Sequence, residues 1–274
     1  MNLAQALHTA ARRYCIDQFA FWSNRYSELD RQGKNRLDTD DGWEYTAEAL
    51  ATFPRYNVLK AIRVEIERLD AEQLEDFAET QEILLLAGAT GDDEFTRKPI
   101  GQIDAFATAD EREAFCRFVR GLSEGDLEAI EPLPYQRVLA ADEAKQLWSR
   151  LRQRWQITEG YWYPLAVCPL STIAAFQDRP FYEAVPPESV ERILRARRIE
   201  RVWELRESGP EYELDVSSFQ PYYNGAEGYW SSGNLDWIVY ASHESSVTVG
   251  GWLLDEVKAI WPSWREKIWT SPFF

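Results

Sequence analysis

Val202-Trp203-Glu204-Leu205-Arg206-Glu207, then Ser208-Gly209-Pro210, then Glu211-Tyr212-Glu213-Leu214-Asp215-Val216 is the stretch on which the fold class turns. Trp203 and Leu205 alternate with charges before the Ser-Gly-Pro break. Tyr212, Leu214 and Val216 alternate with Glu211, Glu213 and Asp215 after it. A repeat of two is that of a half-buried strand, and turn residues between two such runs predict an antiparallel hairpin with one face dry and one wet. Downstream, Trp237-Ile238-Val239-Tyr240-Ala241 is apolar on both sides, as a central strand is. Val247-Thr248-Val249 follows His243-Glu244-Ser245-Ser246, which predicts a second hairpin.

Upstream of Trp155 the period is helical. Leu3, Leu7, Ala10, Tyr14, Phe19, Trp22, Tyr26 and Leu29 keep to one face of a long first helix that Gly33 ends. Asp41 with Glu44 predicts the capped start of a second helix. After Pro54 a third carries Leu59, Ile62, Ile66 and Leu69. Asp70 with Gln73 predicts a further start, with Leu74, Phe77, Ala78, Leu84 and Leu85 buried and Gly88 as the stop; Gly91 to Gly101 reads as a loop. Thr108 with Glu111 predicts another start ahead of Phe115, Phe118, Val119 and Leu122. Beyond Pro132 and Pro134 a last helix bears Ala144, Leu147, Leu151 and Trp155.

Between the last of these helices and the first hairpin, Tyr161 to Cys168 reads as a short strand broken by Pro164. Thr172 to Ala184 and Glu188 to Arg198 read as helices, and Leu253 to Trp269 as a closing helix broken near Pro262. The expected class is therefore α+β: a helical region over 1–155 and an aromatic-rich, mainly antiparallel sheet region with flanking helices over 156–274, as two domains or one continuous one. Ten of the 12 tryptophans lie at or beyond Trp148, so the second region solves a different packing problem.

Composition narrows the function classes. The chain of 274 residues carries a formal charge of -16, and residues 1–150 hold 29 acidic against 18 basic side chains. Neutralising phosphates needs Lys and Arg, so a nucleic-acid backbone or an anionic membrane is a poor partner and a basic protein a better one. No apolar run reaches the length of a membrane span, and Met1 to Cys15 reads as an amphipathic helix rather than a secretion signal, so the expected location is the cytoplasm. Cys15, Cys116 and Cys168 form no C-x-x-C pair and read as reduced thiols. No metal or cofactor is expected.

Catalytic equipment is sparse. The chain has two histidines, His8 in the first helix and His243 beside Glu244 at a predicted hairpin tip. His243 with Ser242, Ser245 or Ser246 can be written as a base and a nucleophile. Adjacent strand residues point to opposite faces, however, so His243 and Glu244 are not expected to pair. Gly228-Tyr229-Trp230-Ser231 places its serine one residue too far from the glycine for a nucleophile elbow, and no phosphate-cradling glycine motif exists. Asp38, Asp40, Asp41 and Gly42 lack the spacing of a calcium loop.

The distinctive stretch is Pro221-Tyr222-Tyr223-Asn224-Gly225-Ala226-Glu227-Gly228-Tyr229-Trp230, which mixes large rings with Gly and Asn as a recognition loop does. Tyr222, Tyr223, Asn224, Glu227, Tyr229, Trp230, His243 and Glu244 are the candidate binding residues. The alternative is that the rings simply cover one end of the sheet.

The run Asp236-Trp237-Ile238-Val239-Tyr240-Ala241-Ser242-His243-Glu244-Ser245-Ser246-Val247-Thr248-Val249-Gly250-Gly251 resembles a terminal strand pair in assorted uncharacterised bacterial proteins, some of them described as immunity proteins of toxin systems. That resemblance covers one segment and implies no catalytic residue. The leading expectation is a non-enzymatic binding protein of immunity or inhibitor type that takes a basic, toxin-like protein. The alternatives are a hydrolase using Glu227, Glu244 or Asp236 with His243 around residues 221–246, and a structural or regulatory protein.

Overall fold

The computed structural model describes residues 1–159 and 161–270 and divides into two compact units, Met1–Leu133 and Pro134–Phe274. The first unit is built from α1 (Leu3–Arg31), a hairpin of β1 (Arg36–Thr39) and β2 (Gly42–Tyr45), α2 (Ala47–Ile66), α3 (Phe77–Thr90), α4 (Gln102–Gly121) and the short α5 (Glu124–Glu128). Leu7, Ala11 and Cys15 of α1 share one core with Val58, Leu59 and Ile62 of α2, Leu84 of α3, and Phe115 and Val119 of α4.

Several helix starts differ from the sequence expectation. Asp41 caps no helix: with Asp40 it forms the β1–β2 turn, after which Gly42 opens β2 at φ +136, Arg36 lies 4.2 Å over the Trp43 ring, and the cap of α2 is Thr46. Pro54 lies inside α2 rather than ahead of a separate helix. Its missing N–H and ring clash cost about 3 kcal/mol. Val58, Leu59, Ile62 and Ile66 are all fully buried, and burial at about 1.5–3 kcal/mol per side chain outweighs that cost. Asp70 caps only a 3-10 turn, and Asp76 is the true cap of α3. Gly88 does not stop α3; the helix needs a glycine there because Phe115 lies against it, and Gly91 is the cap. Thr108 is interior to α4, which starts after Gly101, where the Asp104 carboxylate accepts the Gly101 N–H at 2.7 Å.

The second unit contains β3 (Gln136–Val138), α6 (Ala141–Trp155), β4 (Ile173–Gln177), α7 (Asp178–Ala184), α8 (Pro187–Ala196), β5 (Arg201–Arg206), β6 (Tyr212–Asp215), β7 (Gly228–Ser231), β8 (Trp237–Ser242), β9 (Ser246–Gly251) and α9 (Trp252–Ile260). Its strands form one seven-stranded antiparallel sheet in the order β3-β6-β5-β7-β8-β9-β4. The α+β class and both expected hairpins, β5–β6 and β8–β9, are present. α6, the last helix of the helical run, belongs to this unit. Tyr161 to Cys168 is irregular rather than a strand, and the predicted helix from Thr172 is β4 followed by α7.

Register overturns the wet face expected of the β5–β6 hairpin. Val202 stands opposite Leu214, and Trp203 opposite Glu213, so Tyr212 and Leu214 lie on the sheet face opposite to that of Trp203 and Leu205. Both faces are covered. Leu205, Tyr229, Ile238 and Tyr240 pack with Leu147, Leu151, Trp155 and Trp162 on one side. On the other, Phe219 lies edge-on to Trp230 and Trp237, and Phe176 packs on Phe181 and Trp261.

Candidate functional site

The connection between β8 and β9 is three residues, His243, Glu244 and Ser245, and the last takes a left-handed φ of +53. That is the usual geometry of a three-residue hairpin loop. Ser242 and Ser246 face each other across the pair with their hydroxyls 2.7 Å apart, and the Ser242 hydroxyl also accepts the Glu244 N–H at 3.2 Å. The Ser245 carbonyl accepts the Asp178 N–H at 3.0 Å, which fixes the start of α7 beside this turn. One helical turn later the Tyr182 hydroxyl donates to the Pro221 carbonyl and anchors the 219–227 loop.

These ties bring α7, the tyrosine loop and the β8–β9 turn around an open recess of about 480 Å³. Tyr182, Tyr222, Tyr223 and His243 contribute its rings, and Asp178, Arg179 and Glu183 its charges. Tyr222 is 37 % exposed and Tyr223 44 %. The Tyr182 and Tyr222 rings meet at 4.3 Å with a 57° tilt, and Tyr223 lies 6.3 Å from the His243 ring. Burial and the nearby Asp178 charge push the Tyr182 phenol well up, and burial, with Glu188, does the same more weakly to Tyr222.

His243 sits between two carboxylates. Its Nδ1 is hydrogen-bonded to Glu227 Oε1, which also accepts the His243 backbone N–H at 3.2 Å, and its Nε2 lies 3.3 Å from Glu244 Oε1. The expectation that His243 and Glu244 would not pair is overturned: both belong to the turn, where strand alternation does not apply. The hydrogen bond to Glu227, with the charges of Glu227, Glu244 and Glu207, raises the imidazole pKa. Glu227 is 2 % exposed, and its second oxygen, Oε2, is buried with no hydrogen-bond partner among the described residues. Beneath it, the Tyr240 hydroxyl accepts the Trp162 N–H at 3.2 Å, and burial, with the Tyr229 and Glu227 charges, pushes the Tyr240 phenol far up.

The eight sequence candidates therefore separate. Tyr222, Tyr223 and His243 line the recess, Glu227 and Glu244 hold His243, and Asn224 lies just outside, bound by the Arg206 guanidinium. Tyr229 and Trp230 are not part of it: they occupy successive positions of β7, each 1 % exposed and on opposite sheet faces. Asp178, Arg179, Tyr182 and Glu183 were missed. Their spacing, Asp178 to Tyr182 and Arg179 to Glu183, is the i,i+4 repeat of one helical side, which is the only sequence feature that marks them.

Among the described residues no hydrogen bond joins the His243 ring to a serine hydroxyl. The imidazole Nδ1 is hydrogen-bonded to Glu227 and its Nε2 faces Glu244, while the Ser242 and Ser246 hydroxyls bond each other. Ser231 donates to the Trp237 carbonyl at 2.6 Å, and Ser232 accepts the Trp237 indole N–H at 2.8 Å, so both serve as braces. Asp236 precedes β8 and His243 follows it, which puts them about 23 Å apart at 3.3 Å per strand residue. Among the described residues no cluster of His, Cys, Asp and Glu is arranged to hold a metal ion, and no helix is long and apolar enough to cross a membrane. Comparison with protein-family models, curated proteins and solved structures finds no match to this chain.

Proposed function

We propose that this chain is a non-enzymatic binding protein, of inhibitor or immunity type, that takes a basic protein partner through the tyrosine recess of its second unit. The observation that carries this reading is the recess itself: solvent-open tyrosine faces beside the Asp178 and Glu183 carboxylates. Exposed Tyr offers a large rigid contact area at little entropic loss, and a ring face next to a carboxylate favours cations. The net charge of -16 adds long-range attraction for a basic protein, which speeds encounter more than it strengthens the final complex.

Analytical ultracentrifugation of the purified protein with the basic products of neighbouring genes tests the reading. A defined complex that weakens with added salt, together with protection of cells on co-expression, is the expected outcome. Absence of a complex with every such product, and of any protection, rules the reading out.

A further inference from the structure

We propose that the recess formed by Tyr182, Tyr222 and Tyr223 receives an arginine side chain of the basic partner, its guanidinium lying on a tyrosine face and hydrogen-bonded to Asp178. The inference rests on the binding reading and adds which group of the partner is read. The recess, about 480 Å³, is far larger than a water site and is open at the surface, as a pocket for one long side chain must be. Its walls are set before a partner arrives, since Tyr182 is tied to the Pro221 carbonyl and α7 to the Ser245 carbonyl. Little ordering is then left to oppose binding.

Asp178 is the available acceptor. Its Oδ1 accepts the Arg179 backbone N–H at 2.5 Å, and among the described residues it belongs to no ion pair. Glu183 is engaged with Arg179 at 3.0 Å, but both are well exposed, and a surface pair of this kind is worth so little that an incoming cation can replace it. His243 does not oppose a cation strongly, because Glu227 and Glu244 match its charge.

Arginine fits these walls better than lysine. A guanidinium is flat, weakly hydrated and able to bond a carboxylate with two parallel N–H groups, whereas an ammonium is a strongly hydrated point charge. The same chain already stacks Arg201 over Tyr135 at 3.6 Å and Arg36 over Trp43 at 4.2 Å.

Calorimetric titration with a Gly-Arg repeat peptide, and with versions carrying lysine or neutral citrulline, tests the assignment. The arginine peptide is expected to bind best, with citrulline weaker by about tenfold or more. Tyr223→Ala and Asp178→Asn should each weaken the arginine peptide about fivefold, the equivalent of roughly 1 kcal/mol for a cation–π or ionic contact at a half-exposed site. Glu94→Gln, an exposed carboxylate of the other unit, serves as the control and should change little. All three variants alter accessible side chains, and circular dichroism confirms their fold. An affinity unchanged in both Tyr223→Ala and Asp178→Asn, or equal for arginine and citrulline, overturns the arginine assignment. It would leave standing a partner complex seen by ultracentrifugation, whereas loss of that complex would remove the binding reading itself.

Discussion

His243 Nδ1 is hydrogen-bonded to Glu227 Oε1, so a half-exposed imidazole covers a carboxylate that is 2 % exposed. The pair joins the β8–β9 turn to the strand β7 through the chain just before it. Because the Glu227 carboxylate is almost wholly enclosed, the turn depends on whatever partner His243 supplies.

His243→Ala should therefore destabilise the second unit by about 1–3 kcal/mol, the usual contribution of a hydrogen bond to a charged group, with the backbone N–H of residue 243 left as the remaining partner of Glu227 Oε1. The effect depends on pH in a definite direction. Glu227 raises the folded-state pKa of His243 above 6.5. The ionic part of its contribution is fully present below the unfolded value and is lost as pH rises through the folded one. Urea titrations of wild type and variant at pH 6 and pH 9 should show the stability gap narrowing at the higher pH; a gap that widens contradicts the ion pair.

His8 should act with the opposite sign. It is buried in the first unit, its Nε2 lies 3.1 Å from the Ile66 carbonyl, and burial lowers its pKa to about 4. Between about 6.5 and 4 the unfolded chain takes up a proton that the folded chain refuses, so this histidine removes about 1.4 kcal/mol of stability per pH unit of acidification. NMR titration should find one imidazole that stays neutral to about pH 4 and another still protonated above 6.5.

Gly88→Ala pits helix propensity against packing. Alanine is favoured inside a helix by about 1 kcal/mol. A methyl group at Gly88, however, would lie 2.6 Å from Phe115 Cδ1 and 2.8 Å from Cys116 Sγ, and Phe115 is fully buried. Overpacking costs about 1–3 kcal/mol, so the net result should be a loss of roughly 1 kcal/mol, read as a lowered urea midpoint. A stabilised variant would show that α3 and α4 are further apart than described.

Trp230→Ala and Tyr223→Ala, seven residues apart, should differ sharply. Trp230 is enclosed in β7 and its truncation should cost about 3–5 kcal/mol. Tyr223 is 44 % exposed, and its loss should change stability by about 0.5 kcal/mol or less. Chemical denaturation of the two variants checks this, and comparable losses would show Tyr223 to be a packing residue rather than a lining of the recess.

Strand alternation around Trp203 and Leu205 and helical periodicity in α1 and α2 were legible because each repeat is local. A side chain's direction follows from its own backbone and its near neighbours. Capping was less legible. Asp41–Glu44 and Asp70–Gln73 have the right spacing, but Asp41 lies in a hairpin turn and Asp76 claims the start of α3. A capping pair is worth only about 1 kcal/mol, which packing readily overrides. Within the candidate site, Tyr222, Tyr223 and His243 could be picked out by residue type alone. Asp178 and Tyr182 could not, since contacts far apart in sequence bring them there: Asp178 to the Ser245 carbonyl, and Tyr182 to the Pro221 carbonyl and the Tyr222 ring.

The sequence by itself determined the α+β class, the acidity and the paired hairpins, all of which follow from composition and short-range periodicity. Only the tertiary structure decided which face each strand residue occupies, because a shift of one residue in register exchanges the two faces at no change in local pattern. It is register that sends Leu214 to the face opposite Trp203, and burial of β7 between neighbouring strands that encloses Tyr229 and Trp230. Tyr222 and Tyr223, just ahead of that strand, remain at the surface, where pairing no longer constrains them.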